Sequence, residues 1–304
     1  MSRRHVLMLV ALAALWGSSF MFIEIALRDL APSTLILLRM ASGALTLAVW
    51  IVATGTSFAG LRRYVWPLAL LGLVNTAVPF FLIAWGQQYI DSGLASIFNA
   101  SAPLFTALFA LGYDRSQRST GLRLVGIVVG FAGVVLLVGF ELSGGERAVL
   151  GGLAVVGASA CYGIGGLYAG RQFNGLPCAL VAFGALVWSS FFVAPAGIAQ
   201  ASTPGWDAIL SVLYLGVAAT GIAYLFYFGL IAGAGASKAV LVTYLVPSLA
   251  LVYGAVFLEE EVTAIAIAGL ALVLGGVALG TGAVRRNGRA RLRPRREAAD
   301  SLTP

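Results

Sequence analysis

The sequence is poor in the residues that build catalytic and metal sites. It contains one histidine, His5, and two cysteines, Cys161 and Cys178. Both cysteines fall within apolar runs, which indicates packing rather than a disulfide framework or a metal site. No glycine-rich segment leads into Gly-Lys-Ser or Gly-Lys-Thr, so a nucleotide-binding loop is excluded. We therefore predict no metal, no cofactor and no enzymatic activity.

Charge is scarce as well. Charged residues make up 10% of the chain and hydrophobic residues 60%, whereas an ordinary soluble domain carries about 25% charge. Apolar runs recur that are long enough to cross a hydrocarbon layer of about 30 Å as helices, and barrel strands would be shorter and alternating. This pattern predicts an all-α membrane protein. Ten transmembrane helices are predicted, at residues 6–27, 33–54, 65–87, 92–113, 122–140, 149–170, 178–199, 208–232, 236–258 and 262–284.

The basic residues indicate how the chain is oriented. If the N-terminus is cytoplasmic, every Lys and Arg except Arg28, Arg39 and Arg147 lies in a cytoplasmic loop or in the tail, whereas Glu260 and most other acidic residues lie outside. This distribution satisfies the positive-inside rule and predicts that both termini are cytoplasmic. The net charge of +7 therefore reflects topology, and we predict no nucleic-acid partner. The basic tail, 285–304, either contacts anionic lipid or anchors the topology.

The two halves of the chain are related by an offset of about 144 residues. This shift lays segment 71–81 on segment 215–225 and Pro103 on Pro247. Chance alignment of Gly- and Ala-rich helices is the alternative explanation. Because each half holds five spans, the second half enters the membrane inverted, and such repeats place a substrate site near the midplane. The predicted organisation is a first repeat over 1–140, a second over 141–284 and a basic disordered tail over 285–304.

Four segments in chain order resemble the EamA-type members of the drug/metabolite transporter superfamily. They are "AALWGSSFMFIEIAL", "PSTLILLRMASGAL", "NASAPLFTALFALGY" and "ASKAVLVTYLVPSLALVYGAVFLEEEVT". The resemblance covers both halves and leaves out only the C-terminal tail. It implies a five-plus-five inverted bundle in a bacterial inner membrane that exports small metabolites, often amino acids. The resemblance does not specify the substrate.

Two charged residues lie within the first two predicted spans. Arg39 lies roughly 9 Å below the outer surface, at 1.5 Å per residue, and Glu24 has a similar depth on the neighbouring helix. An isolated charge in the membrane costs about 2.5 to 3.5 kcal/mol on insertion scales, so we expect these two to pair. Three interpretations stay open: a static ion pair, an outer gate or proton-coupling site, and snorkelling of Arg39 to the surface.

Aromatic and polar residues recur near the predicted midplane. An aromatic, mostly apolar pocket with a few hydrogen-bonding groups is typical of a small-molecule site, although core packing explains any single aromatic residue. The predicted substrate-binding residues are Trp16, Asn75, Phe80, Asn99, Tyr162, Tyr224 and Tyr244. Pro103 and Pro247 lie at the same depth, where each acts either as a hinge or as a fixed kink.

These features favour a secondary transporter over an enzyme or a channel. An enzyme would need clustered acid-base or metal groups, and a channel would not need inverted halves. A site for phosphorylated sugars should supply Arg or Lys to the phosphate, but Lys238 is the only lysine and Arg39 the only mid-span arginine. We predict export of small neutral or zwitterionic metabolites, foremost aromatic or apolar amino acids, with protons as the candidate coupling ion. The alternative is export of apolar or cationic drug-like compounds, with Glu24 as the counter-charge.

Overall fold

The computed structural model describes residues 1–113, 121–141, 144–173 and 175–280, and these residues contain helices and no strand. Eight helices are long and apolar enough to cross a membrane, and two shorter apolar helices follow them. The prediction of an all-α, multi-pass membrane protein is confirmed. The predicted tail, 285–304, lies outside the described residues.

The helices are numbered in chain order, and some of them join segments of different helical type. They are α1 (Arg3–Leu27), α2 (Pro32–Ala53), α3 (Phe58–Gly86), α4 (Ser92–Asn99 continued by Ala102–Tyr113), α5 (Leu122–Glu141), α6 (Glu146–Gln172), α7 (Cys178–Ala199), α8 (Trp206–Ala234), α9 (Val242–Phe257) and α10 (Ala264–Gly280). A single helical turn, Ala236–Ala239, precedes α9.

Two helices depart from α geometry along their length. Leu73–Ala77 in α3 and Tyr214–Ile222 in α8 are π-helical. Both lie almost entirely within 71–81 and 215–225, the segments that the offset aligns. Pro79 follows the first π segment, and because proline has no amide hydrogen the regular helical ladder is interrupted there. Single π turns in helices often mark functional sites.

The two candidate hinge prolines lie at different kinds of helix position. We expected both inside continuous spans, but α4 is interrupted at Ala100 and Ser101, so Pro103 lies in the first turn of a new segment. A missing amide hydrogen costs little in a first turn, because the first N–H groups of a helix have no intrahelical acceptor. Pro247 is buried within α9, as expected. Their role as hinges stays a prediction.

The helices pack in pairs that follow the same pattern in both halves. The contact of α1 with α9 is equivalent to that of α6 with α4. The contact of α2 with α8 is likewise equivalent to that of α7 with α3, and the last helices of the two halves, α5 and α10, pair with each other. Glycines allow the closest of these approaches: a Cβ at Gly276 of α10 would overlap the backbone of Gly130 and Gly126 in α5. Such small-residue contacts substitute for the hydrophobic driving force that is absent between helices in lipid.

Candidate functional site

Arg39 lies at the centre of an aromatic and polar cluster formed by four helices. Its side chain is 6% exposed, its Nε donates to Oγ1 of Thr220 at 3.1 Å, and its Cζ lies 4.5 Å from the ring centroid of Phe80. The ring of Tyr162 packs edge-on against the ring of Phe80, with centroids 6.2 Å apart. The guanidinium also interacts electrostatically with Tyr162 and Tyr224. We call these five residues the Arg39 cluster.

Glycines on α2 and α8 allow Thr220 to lie close to Arg39. A Cβ at Gly43 would meet Cγ2 of Thr220 at 2.9 Å, and a Cβ at Gly216 would overlap the hydroxyl of Ser42. Larger side chains at these glycines would push the π segment of α8 away from α2. The close approach therefore places the Thr220 hydroxyl beside the guanidinium, where it accepts the Nε–H.

Trp16, a predicted substrate-binding residue, is connected to the Arg39 cluster through aromatic rings of α8. Its ring centroid lies 5.4 Å from that of Tyr227, which lies 6.1 Å from Phe228, which in turn stacks on Tyr224 at 5.8 Å. The spacing of these rings is typical of favourable aromatic contacts. The structure therefore joins predicted residues of α1, α3, α6 and α8 through one continuous set of contacts.

The remaining predicted substrate-binding residues are Asn75, Asn99 and Tyr244, and each has surroundings of its own. Asn75 lies in the π segment of α3 and packs against Gly165 of α6, where a Cβ would overlap it. Oδ1 of Asn99 and the hydroxyl of Tyr244 are buried and lack a hydrogen-bond partner among the described residues. Leaving a buried polar atom unpaired costs about 1 to 3 kcal/mol, so both atoms suit contact with water or a ligand.

The ion pair predicted between Glu24 and Arg39 is wrong. Arg39 binds Thr220 and Phe80, whereas the electrostatic partners of Glu24 are Arg28 and two acidic residues, Asp91 and Glu260. The helices explain the difference, because α1 packs mainly on α8 and α9 while α2 packs on α7 and α8. The snorkelling interpretation is wrong as well, since Arg39 is buried between helices.

The carboxylates of Glu24, Asp91 and Glu260 gather at one end of the bundle, which we call the acidic end. Glu260 accepts hydrogen bonds from the backbone N–H groups of Ser92 at 2.8 Å and Gly93 at 2.9 Å. A carboxylate at this position is favourable because the first amides of a helix lack intrahelical partners. Glu260 therefore holds the segment after α9 against the start of α4.

Gln87 completes the acidic end beside Glu24. Its Nε2 donates to the carbonyl of Phe20 at 2.9 Å, and its side chain interacts with Glu24. Oε1 of Gln87 and Oε2 of Glu24 are both buried acceptors without a donor among the described residues. A proton on Oε2 of Glu24 would donate a hydrogen bond to Oε1 of Gln87.

Several of these contacts are not predicted from the sequence. Thr220 carries a usable signal, because the offset aligns it with Thr76 in the other π segment. Gln87 is the last residue of the third predicted helix, and Glu260 lies in the acidic run 259–261. Nothing in sequence spacing places those two beside Glu24, since the three residues are far apart in the chain.

Asp91 provides a pH-dependent test of the acidic end. Burial and the carboxylates of Glu260 and Glu261 raise the pKa of Asp91. An acid with a raised folded-state pKa binds more protons folded than unfolded, so stability falls as pH rises from its ordinary pKa of about 3.9. Asp91→Asn should therefore raise the thermal midpoint of the detergent-solubilised protein at pH 7 and leave it unchanged near pH 3.5.

Asp207→Asn is the control for this prediction, because it makes the same chemical change in the first turn of α8. It should give no gain at pH 7. A lower midpoint for Asp91→Asn at pH 7 would show that the aspartate charge stabilises this end of the protein.

The sequence matches a known family in both halves. Residues 3–139 and again residues 149–281 match the EamA-like transporter family. The chain belongs to this family. The EamA-like protein is 24% identical to the uncharacterized transporter YoaV of Bacillus subtilis, over 90% of this chain and 95% of YoaV. It is 29% identical to an uncharacterized transporter of Archaeoglobus fulgidus, over 86% of this chain and 93% of that protein.

One relative carries a name that includes a substrate. The chain is 27% identical to a probable terminal-alkyne amino-acid exporter of Streptantibioticus cattleyicolor, over 89% of this chain and 91% of that protein. A known crystal structure shares the fold with a TM-score of 0.66 and 21% identity, over 94% of this chain and all of that one. The family and these relatives identify a membrane transporter of the EamA family.

Proposed function

We propose that this EamA-family transporter exports small neutral or zwitterionic metabolites, foremost amino acids with aromatic or apolar side chains. The Arg39 cluster carries the proposal, because residues from both halves of the chain meet there. Its make-up, three aromatic rings with a few hydrogen-bonding groups, is that of a small-molecule site. The relative named as a probable amino-acid exporter supports the same substrate class.

We propose alternating access of two inverted five-helix repeats, 1–140 and 141–284, with ten spans in all. The twofold family match over 3–139 and 149–281 and the matching helix contacts in the two halves support this arrangement. The distribution of Lys and Arg supports cytoplasmic termini, in an inner membrane. Rocking of one repeat against the other would expose the Arg39 cluster to each side in turn.

We propose that protons drive the export and that Glu24 carries them. The support is the buried, unpaired Oε2 of Glu24 beside two further carboxylates and Gln87. A proton on Glu24 would remove its repulsion from Asp91 and Glu260 and donate to Oε1 of Gln87.

Counterflow in proteoliposomes tests the proposed substrate class. Vesicles loaded with unlabelled phenylalanine or leucine should take up the labelled amino acid, and sugar phosphates should not exchange. Tyr162→Ala should lower this exchange by about tenfold or more, because it removes a ring contact and a hydroxyl beside Arg39. The amount of folded protein is measured in parallel by size-exclusion chromatography.

Tyr168→Ala is the matched control, since Tyr168 is on the same helix but packs against Phe173, away from the Arg39 cluster. It should exchange like wild type. If Tyr162→Ala loses exchange only in proportion to folded protein, the tyrosine belongs to the core. Exchange of apolar cations but of no amino acid would favour the alternative, a drug exporter with Glu24 as counter-charge.

A further inference from the structure

Arg39 uses only part of its hydrogen-bonding capacity. A guanidinium has five N–H donors in a planar fork, and only Nε–H has an acceptor among the described residues, Oγ1 of Thr220. The Cζ of Arg39 lies over the ring of Phe80, 4.5 Å from its centroid. The four N–H groups on the terminal nitrogens therefore remain available at the edge of the fork.

The positive charge of Arg39 also has no counter-ion within the part of the chain that the structure describes. Among the described residues, its electrostatic partners are the hydroxyls of Tyr162 and Tyr224, with no carboxylate. The nearest candidate by sequence, Glu24, belongs to the acidic end. Buried charges in proteins are normally paired, because an unpaired one pays its desolvation cost without compensation. A buried cation held this way in a transporter suits an anionic group that arrives with the substrate.

The repeat position that Arg39 occupies in the first half holds an uncharged residue in the second half. Where α8 meets α2, a Cβ at Gly216 would lie 2.9 Å from the carbonyl oxygen of Arg39. At the equivalent contact between α3 and α7, a Cβ at Gly72 would lie 2.6 Å from the carbonyl oxygen of Ala185. The offset of about 144 relates the two glycines, so Ala185 takes the place of Arg39 in the second half. The cluster therefore offers one cation, which matches a single monovalent anionic group.

We propose that Arg39 binds the carboxylate of the transported substrate through its terminal nitrogens, so that the substrate is an amino acid or a related small carboxylate. The assignment rests on the proposed export function. A carboxylate matches the planar fork with two parallel hydrogen bonds, whereas a phosphate dianion would leave a charge unpaired at a site with one cation. The rings of Phe80, Tyr162 and Tyr224 then lie beside the rest of the substrate, which favours aromatic or apolar side chains.

The test compares phenylalanine with ligands that lack either its carboxylate or its ammonium group. In wild-type proteoliposomes, phenylalanine should compete for labelled phenylalanine exchange, while phenylalanine amide and phenethylamine should compete about tenfold to a hundredfold less well, the cost of losing charge-assisted hydrogen bonds. Phenylpropionate, which keeps the carboxylate and lacks the ammonium, should still compete. This comparison uses the unaltered protein and does not depend on the folding of any variant.

Variants supply the second measurement. Arg39→Gln should weaken phenylalanine binding by about tenfold to a hundredfold and leave the weak binding of the amide unchanged. Arg39→Lys should restore part of the preference for the carboxylate, because it keeps the charge without the fork. Arg147→Gln, at the exposed start of α6, should behave like wild type.

The outcomes separate the two proposals. Equal exchange of phenylalanine and its amide by wild type would overturn the role of Arg39 and leave amino-acid export standing. If folded Arg39→Gln binds phenylalanine with wild-type affinity, the role of Arg39 is likewise overturned and amino-acid export still stands. Exchange of no amino acid by wild type would overturn the proposed function itself, and the carboxylate site with it.

Discussion

Replacing Glu24 with glutamine is expected to abolish substrate accumulation driven by a pH gradient while leaving substrate exchange intact. Glutamine keeps the shape of the side chain but cannot carry a proton between the two sides. Exchange involves no net proton movement, so it survives if the Arg39 cluster still binds substrate. The variant should also fold, because it removes a charge that faces Asp91 and Glu260.

The measurement is accumulation of labelled amino acid in proteoliposomes with and without an imposed pH gradient, alongside counterflow without a gradient. Glu146→Gln is the control, because Glu146 is an exposed carboxylate in the first turn of α6. It should accumulate substrate like wild type. The coupling role of Glu24 fails if folded Glu24→Gln builds the wild-type gradient.

Replacing Gly276 with leucine is expected to eliminate most of the folded protein. A Cβ at this position would overlap the backbone of Gly130 and Gly126 in α5, and backbone atoms cannot rotate away as a flexible side chain does. Overpacking costs about 1 to 3 kcal/mol in ordinary cores and occasionally more. We expect the upper end here, because α10 must move away from α5 along its length.

Gly275→Leu provides a matched control one residue away. Nothing lies within 4 Å of a Cβ at Gly275, and that residue is exposed on the outer surface of the bundle. Its folded yield in detergent, measured by fluorescence-detected size-exclusion chromatography, should equal that of wild type. Similar losses in the two variants would mean that leucine disturbs α10 itself rather than its contact with α5.

The ion pair predicted between Glu24 and Arg39 shows where depth estimates stop being informative. A similar depth is expected because Glu24 lies three residues before the end of α1 and Arg39 seven residues after the start of α2. Depth does not say which way a helix is rotated, however. The rotation of α2 is decided by its glycine contact with α8 and directs Arg39 to Thr220, while the packing of α1 leaves Glu24 beside Gln87.

The candidate site combines predicted and unpredicted residues for a similar reason. Phe80, Tyr162 and Tyr224 are predicted because aromatic residues near the midplane are typical of a small-molecule site, and the structure brings them together around Arg39. Asn99 and Tyr244 are predicted because they are polar residues near the same level, and the structure leaves Oδ1 of Asn99 and the hydroxyl of Tyr244 buried without a hydrogen-bond partner among the described residues. Sequence position gives the level of a residue along its helix but leaves open the direction of its side chain.

The sequence by itself determined that this protein is an all-helical, multi-pass membrane protein of a transporter family. Run length, hydropathy and the related halves suffice for that, because a bilayer requires every backbone polar group to be satisfied within a helix. Only the tertiary structure decided that Arg39 lies among aromatic rings, with no carboxylate of the described residues as its partner, and that Glu24 joins the acidic end. Those facts depend on helix rotation and close glycine contacts between segments far apart in the chain, which leave no local pattern in the sequence.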